Sequence, residues 1–150
     1  MDQSYLPEKY IWNQDDFNSM GWHDVTIYGM LFDGNVAFDI DYIFRWETPI
    51  VPDTSYKFWI SPATLIFIDP TYLRIDISTD FVNGVEIADI LQIHNNGKSV
   101  YRIETQQGDM EIEAVSFRQV IRMQPVLSVQ QFLPPTQRGG ISFSEEIPTE

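Results

Sequence analysis

Three aspartates in the first third of the chain, Asp24, Asp39 and Asp41, are the residues whose type and spacing best suit chemistry. Asp39 and Asp41 are two positions apart, so in a strand their side chains lie on one face, about 7 Å from each other. Grouped carboxylates can bind a hard metal ion or supply a pair of groups for acid–base catalysis. They can equally form the solvated side of a β-sheet, whose outer face needs polar residues. The sequence leaves these interpretations open.

The segment 22–47, which carries these aspartates, is predicted to be a β-hairpin that turns at Asp33–Gly34. Asp-Gly tolerates the positive φ angles of a two-residue hairpin turn. Such a turn places Phe32 opposite Asn35 and gathers an almost wholly apolar set of side chains on one face. A three-residue loop would mix apolar and polar side chains on each face, so the pattern favours the two-residue loop. The apolar face comprises His23, Val25, Ile27, Leu31, Val36, Phe38, Ile40, Tyr42 and Phe44.

The opposite face of the hairpin gathers charged and aromatic side chains of the kinds that suit contact with another protein. The candidate partner-binding residues are Trp22, Asp24, Tyr28, Asp39, Asp41 and Arg45. Arg45 lies diagonal to Asp24 in this register and can neutralise part of the acidic group. His23 is expected to be buried on the apolar face and to point away from Asp24, which argues against a metal site at the His-Asp dipeptide. No residue is assigned as catalytic or as a metal ligand, and no cofactor is expected.

The composition is that of one packed domain. The chain has 150 residues, of which 43% are hydrophobic and 14% aromatic, enough to bury a sizeable core. Nine basic residues face 22 acidic ones, for a net charge of −13, which argues against nucleic acid and is compatible with a basic partner. The absence of cysteine excludes thiolate metal sites and cysteine nucleophiles. No apolar run approaches the roughly 20 residues of a membrane span, and no secretion signal is recognisable, so we expect no membrane contact and a cytoplasmic location.

The remaining segments predict further strands joined by short turns. Residues 1–21 are expected to form a lead-in that packs on the sheet, with one helical turn capped by Asn13 or Asp15. Strands are predicted at 56–60 and 63–68, with a break or an edge position at Ser61–Pro62, because proline has no N–H to donate.

The second half of the chain reads as a meander. Alternating apolar and polar residues predict four strands, TYLRIDIS, VEIADILQIHN, KSVYRIETQ and MEIEAVSFRQVIR. Turns are predicted at Asn96–Gly97 and at Gln107–Gly108, and the latter sets Arg102 opposite Glu113. A change of phase predicts a bulge near Ala114–Ser116.

The end of the chain is expected to be less regular. Arg138–Gly139–Gly140 can form an anion-binding nest or a turn that returns the chain to the sheet. Residues 144–150 are expected to be a mobile tail. The whole pattern predicts a mainly β protein, a single domain over 1–150 in which an antiparallel meander closes as a barrel or folds as a sandwich.

Five strings together resemble a group of uncharacterised bacterial proteins of about this length. The strings are WHDVTIY, DIDYIFRW, FWISPATLIF, GDMEIEAVSFRQVIR and RGGISF. The likeness extends from about Trp22 to Phe143, but it implies no activity and assigns no role to any residue. Small acidic bacterial proteins of this sort often bind partners, and immunity proteins against toxins are one such type.

The sequence therefore does not determine the function, but it favours a non-enzymatic, partner-binding protein of the bacterial cytoplasm. The expected partner is a basic protein, as for an immunity protein. Two alternatives stay open. One is a metal-assisted hydrolase that uses Asp24, Asp39 and Asp41, and the other is a barrel that holds a small apolar ligand.

Overall fold

The computed structural model of the chain describes residues 4–82 and 84–149. Strands make up 51% of the protein and helices 7%, and ten strands form one antiparallel sheet. The strands are β1 (Ile11–Asn13), β2 (Thr26–Phe32), β3 (Val36–Glu47), β4 (Lys57–Ile68), β5 (Tyr72–Ile77), β6 (Val85–Asn95), β7 (Lys98–Thr105), β8 (Gly108–Ala114), β9 (Ser116–Ile121) and β10 (Val126–Ser128). A 3-10 helix (Gln14–Ser19) follows β1, and one helical turn, α1 (Pro135–Arg138), lies near the C-terminus.

Neighbouring strands follow the order β1-β9-β4-β3-β2-β6-β7-β8-β5, and β10 also pairs with β4. The two end strands of this path, β1 and β5, are not paired with each other in the described chain. The sheet is therefore not closed into a barrel, which leaves a sandwich or an open sheet. The prediction of a mainly β, antiparallel fold is confirmed, and the barrel alternative is wrong.

The two halves of the sheet are joined by a short seam and share one core. β2 pairs with β6 at only two positions, Thr26 with Glu86 and Ile27 with Val85. Beyond this seam, Tyr101 of β7 packs on rings of the other half. Its ring centroid lies 5.0 Å from that of Phe67 in β4 and 5.6 Å from that of Phe117 in β9.

None of the described helices is long and apolar enough to cross a membrane.

The central hairpin has a three-residue loop, so the predicted two-residue turn is wrong. Phe32 pairs with Val36, and the loop leaves Asn35 free to accept the Asp69 N–H on its side-chain oxygen, at 3.1 Å. A bulge between Ile27 and Gly29 then shifts the register by one residue. Because the bulge compensates for the odd loop, Thr26 pairs with Asp41 as predicted.

Pro62 lies inside a continuous strand and not at an edge or a break. Its carbonyl oxygen accepts the N–H of Arg122, at 2.9 Å, so its ring nitrogen also faces the β9 side of β4. On that side β10 pairs with β4 up to Ile60, and β9 pairs with it from Ala63 onward. Proline therefore falls where two partner strands meet, and its missing N–H leaves one bond unmade at the end of the β4–β9 ladder, the one to the carbonyl oxygen of Arg122.

The β7–β8 turn lies one residue earlier than predicted, at Gln106–Gln107, so Arg102 faces Glu111 and not Glu113. Gly108 is needed in the strand: its φ is +138°, and a Cβ atom there would lie 2.0 Å from the carbonyl oxygen of Asp76. A shift of two positions keeps every side chain on its predicted face.

Two further predictions concern the chain's connections. The expected bulge at 114–116 is a break at Val115, where the chain leaves β8 and enters β9. The expected helical turn near the N-terminus is present. Asn13 caps it by accepting the Asp15 N–H at 2.8 Å, while Asp16 accepts the Asn13 N–H at 2.9 Å.

Candidate functional site

β3 is buried on both faces, which sets the surroundings of Asp39 and Asp41. Its residues from Val36 to Ile43 are all buried. One face meets the apolar core, and a stretch that we call the C-terminal segment (131–145) bonds to the other. Both aspartates are 0% exposed, so the expectation that they face solvent is wrong. The alternation correctly placed them opposite the core, but it could not show that a distant part of the chain covers them.

Arg138 joins the two aspartates. Its Nη2 donates to Asp39 Oδ1 at 2.7 Å, its Nη1 to Asp39 Oδ2 at 2.9 Å, and its Nε to Asp41 Oδ1 at 3.1 Å. The guanidinium carbon lies 3.9 Å from the centre of the Tyr28 ring, a cation–π contact, and the side chain is 1% exposed. A planar, always charged guanidinium suits such multiple contacts better than an ammonium would.

Arg122 supplies the second cation of this group. Its Nη2 donates to Asp39 Oδ1 at 2.7 Å, and its Nη1 donates to Thr64 Oγ1 and to the carbonyl oxygen of Ser142. Two carboxylates and two guanidinium groups therefore balance in charge inside the protein. That balance matters because an unpaired charge in such a place is very unfavourable.

Backbone and hydroxyl donors complete the carboxylate shells. The N–H of Leu133 donates to Asp41 Oδ2 at 2.7 Å, and the N–H of Ser142 donates to Asp39 Oδ2 at 3.0 Å. The Tyr28 hydroxyl also donates to Asp41 Oδ2, at 2.8 Å. Burial, followed by the charge of Asp41, raises the pKa of Tyr28, so this hydroxyl stays a donor. We call the group Tyr28, Asp39, Asp41, Arg122 and Arg138 the buried ion network.

The glycines after Arg138 allow the chain to return to the sheet. Gly139 and Gly140 have φ angles of +80° and +82°, which residues with a Cβ rarely adopt. Their N–H groups bond to the carbonyl oxygen of Pro135 and not to an anion. The Arg138–Gly139–Gly140 motif is therefore a turn and not a backbone nest. The Arg138 side chain, in contrast, does bind anions, which are the carboxylates of Asp39 and Asp41.

The other members of the predicted surface lie apart from the buried ion network. Trp22 is a core residue, 2% exposed, whose indole N–H donates to Gln119 Oε1 at 2.8 Å. Arg45 is exposed and pairs with Glu47 two positions along its own strand. The described residues contain no group of three or more His, Asp or Glu side chains placed to hold a metal ion. With every oxygen of Asp39 and Asp41 accepting a hydrogen bond, these two carboxylates are not free for acid–base work.

Asp24 belongs to a second, smaller group. Its φ is +66°, and its Oδ2 accepts the amide N–H of Gln131 at 2.7 Å and lies 3.4 Å from His23 Nε2. The left-handed backbone breaks the alternation, so His23 lies beside Asp24 with its side chain 68% exposed, and the prediction of a buried His23 is wrong. Burial, and then hydrogen bonding and charge from Asp24, raise the pKa of Glu86.

A row of carboxylates crosses the outer face of β6, β7, β8 and β5. The strand register places Asp89 opposite Glu104, Glu104 opposite Asp109, and Asp109 opposite Asp76. We call these four residues the carboxylate row. The sequence prediction missed this row because its register for β7 and β8 was off by two residues. The predicted register set Glu104 opposite Glu111, whereas the structure sets it opposite Asp109. Alternation along β5, β7 and β8 does place Asp76, Glu104 and Asp109 on the solvated face, whereas Asp89 reaches it through the register shift between Ile87 and Asp89.

Arg74 and Arg102 lie on the same face as the carboxylate row, one on each side of Glu111, and both bind Asp109. Arg102 Nη2 donates to Asp109 Oδ2 at 2.8 Å, and Arg74 Nη2 donates to Asp109 Oδ1 at 3.3 Å. Within the described part of the chain, neither Asp76 nor Asp89 has a cationic side chain within 4 Å. The two ends of the row are therefore the sites of least compensated charge.

The interior offers little space to a small apolar ligand where the core aromatics meet. The gap between the helix and the two halves of the sheet has no volume that a water molecule could occupy. It is bordered by Phe17, Trp22, Leu65, Phe67, Ile90, Tyr101 and Phe117.

Searches against protein-family models, curated proteins and solved structures find no match to this chain. The site must therefore be interpreted from its own chemistry.

Replacing Arg138 by Met, which keeps much of the side-chain volume, should lower the free energy of unfolding by about 3–5 kcal/mol. The reason is that it leaves two buried carboxylates with one cation. Urea unfolding of the parent and the variant measures the difference. Arg45→Met is the matched control and should cost at most about 1 kcal/mol, because Arg45 forms an exposed pair. Adding Asp39→Asn to Arg138→Met should recover part of the loss, and equal losses from the Arg138 and Arg45 variants would contradict the described network.

Replacing Glu86 by Gln should stabilise the protein at neutral pH and not in acid. A raised native pKa means that the folded protein holds the Glu86 proton more tightly than the unfolded chain does. Its contribution is present below the ordinary pKa of 4.5 and is lost as the pH rises through the raised value. Urea midpoints of the parent and Glu86→Gln should coincide in acid and separate near pH 7, with the variant higher. A variant that is less stable than the parent at pH 7 would contradict a raised pKa of Glu86 in the folded protein.

Proposed function

We propose that this chain is a non-enzymatic, partner-binding protein that contacts a basic protein through the outer face of β5, β6, β7 and β8. The observation that supports this most is the carboxylate row, in which four acids lie side by side across four neighbouring strands. Like charges directly opposite each other on a sheet are destabilising. A binding partner that supplies lysines or arginines would remove that repulsion.

Apolar side chains on the same outer face support a protein as the partner. Leu91 and Ile93 of β6 are 40% and 56% exposed, and Tyr72 of β5 is 51% exposed. Aromatic and aliphatic groups beside charged ones are typical of protein interfaces, where the apolar groups anchor and the charges orient. A small ion would need converging oxygens and no such apolar surroundings.

The net charge of −13 supports the same proposal, because it would steer a basic protein toward this surface. A cytoplasmic immunity protein, which neutralises a toxic basic enzyme by covering it, has this chemistry. The exposed member of the predicted hairpin surface, Arg45, lies on another strand. Asp39 and Asp41 would be available to a partner only if the C-terminal segment moved away, and Trp22 lies in the apolar core.

The double variant Asp76→Asn/Asp89→Asn tests the proposed surface, because it removes two exposed charges from the ends of the row. The immobilised parent should retain a basic protein from an extract of the source cells at low salt and release it at high salt. The double variant should retain it less, with an association rate about tenfold lower. The matched control, Asp33→Asn/Asp53→Asn, makes the same change of charge at two exposed positions that lie in loops and not in the carboxylate row.

Quantitative mass spectrometry and surface-binding kinetics measure the two effects. A partner that the double variant and the parent bind equally well would contradict the proposal. So would a partner without a basic surface, or an extract from which the parent retains no protein in a salt-sensitive way.

A further inference from the structure

β5 is an edge strand whose outward backbone groups can be identified from the neighbouring turn. In the two-residue turn at Gln106–Gln107, the flanking residues Thr105 and Gly108 form a hydrogen-bonded pair. Alternate residues of β8 therefore bond to β7, and those between them bond to β5. The N–H of Ser78 donates to the carbonyl oxygen of Gln107 at 3.0 Å, in the same phase.

It follows that Tyr72, Arg74 and Asp76 bond to β8 through their backbones. The N–H and C=O groups of the three residues between them point away from the sheet. Those residues are Leu73, Ile75 and Ile77. No other described residue forms a hydrogen bond with these groups.

This edge lacks the usual protection against pairing with another strand. Natural edges carry a proline, a bulge or charges of one sign that repel a second strand. β5 has neither proline nor bulge over its six residues, and Ile75 is 45% exposed. Its two charged residues, Arg74 and Asp76, have opposite signs and flank Ile75 on either side.

That arrangement is complementary to itself. If a second copy pairs antiparallel across a two-fold axis at Ile75, each Ile75 faces the other, and Leu73 faces Ile77 of the second copy. Six backbone hydrogen bonds form, because all the groups involved point outward. Arg74 then lies directly opposite Asp76 of the second copy, and this favourable cross-strand pair occurs twice.

We propose that the protein forms a symmetric homodimer by antiparallel pairing of the two β5 edges, centred on Ile75. The two-fold axis is perpendicular to the sheet, so the outer faces of both copies lie on one side. The dimer requires no basic partner and stands or fails separately from the proposed binding function.

Two single variants with opposite charge make the sharpest test. Asp76→Arg places two positive charges on the edge, and Arg74→Asp places two negative ones, so neither variant should pair with itself. Mixed together, each copy meets its opposite, and the mixture should form a heterodimer. Sedimentation of the parent should give about twice the chain mass of 17.5 kDa, each variant alone should give the monomer, and the mixture should give the dimer again.

Two further variants guard against loss of folding and general charge effects. Ile75→Pro removes an outward N–H and no hydrogen bond to β8, so it should abolish the dimer and leave the circular dichroism spectrum of the sheet unchanged. Asp33→Arg makes the same charge change as Asp76→Arg on a distant loop and should remain a dimer. A dimer that persists in all the β5 variants would overturn the proposal. A mixture that stays monomeric would overturn it too, as would a monomeric parent, which would leave the edge to an extended segment of another protein.

Discussion

The contact between Arg138 and the paired carboxylates of Asp39 and Asp41 is the interaction on which the rest of the structure depends. It fixes the C-terminal segment over the polar face of β3, and so permits a strand with two aspartates to lie inside the protein. Buried ion pairs often add little net stability, because both charges lose their hydration. Removing one member is far more unfavourable, so the buried ion network acts mainly by excluding other placements of the segment.

The network also explains how an irregular segment can be ordered. Among the described residues after β10, the only regular element is α1, so the backbone groups of the C-terminal segment lack a sheet to bond with. The aspartates take that role for Leu133 and Ser142, whose N–H groups donate to the remaining carboxylate oxygens. Thr64 and Arg118 continue the attachment by binding Ser144 and Glu145, the first residues of the stretch expected to be a mobile tail.

Local pattern predicted most of the strands, because alternation depends on neighbours in sequence. It failed where one residue breaks the period, at the bulge at Tyr28 and at the left-handed Asp24. At Gly108, which lies against the Asp76 carbonyl, the turn was misplaced by one residue but the alternation held. The position of Pro62 was misread because two different strands share one side of β4.

The candidate site was harder to predict, since Arg138 lies 99 residues from Asp39 and no local pattern links them. A sequence can show that Asp39 and Asp41 share a face of β3. It cannot show which distant cation covers that face.

The charge balance of the network bears on function. Because its two carboxylates and two guanidinium groups cancel, the net charge of −13 belongs to the rest of the protein. The carboxylate row concentrates part of that charge on the second half of the sheet, beside exposed apolar residues. The open edge of β5 borders the same face, so pairing of two copies would place two such rows end to end, with Asp76 of each row opposite Arg74 of the other copy.

Hydrogen exchange at the backbone amides of Leu133 and Ser142 tests the central claim most directly. Neither amide lies in a helix or strand, so without the aspartates both would exchange at the rate of an exposed loop. If the buried ion network orders the C-terminal segment, both amides should exchange slowly, with an opening free energy close to that of the amides in β3. Exchange as fast as that of exposed loop amides would show that the segment is not fixed over β3, and would contradict the account.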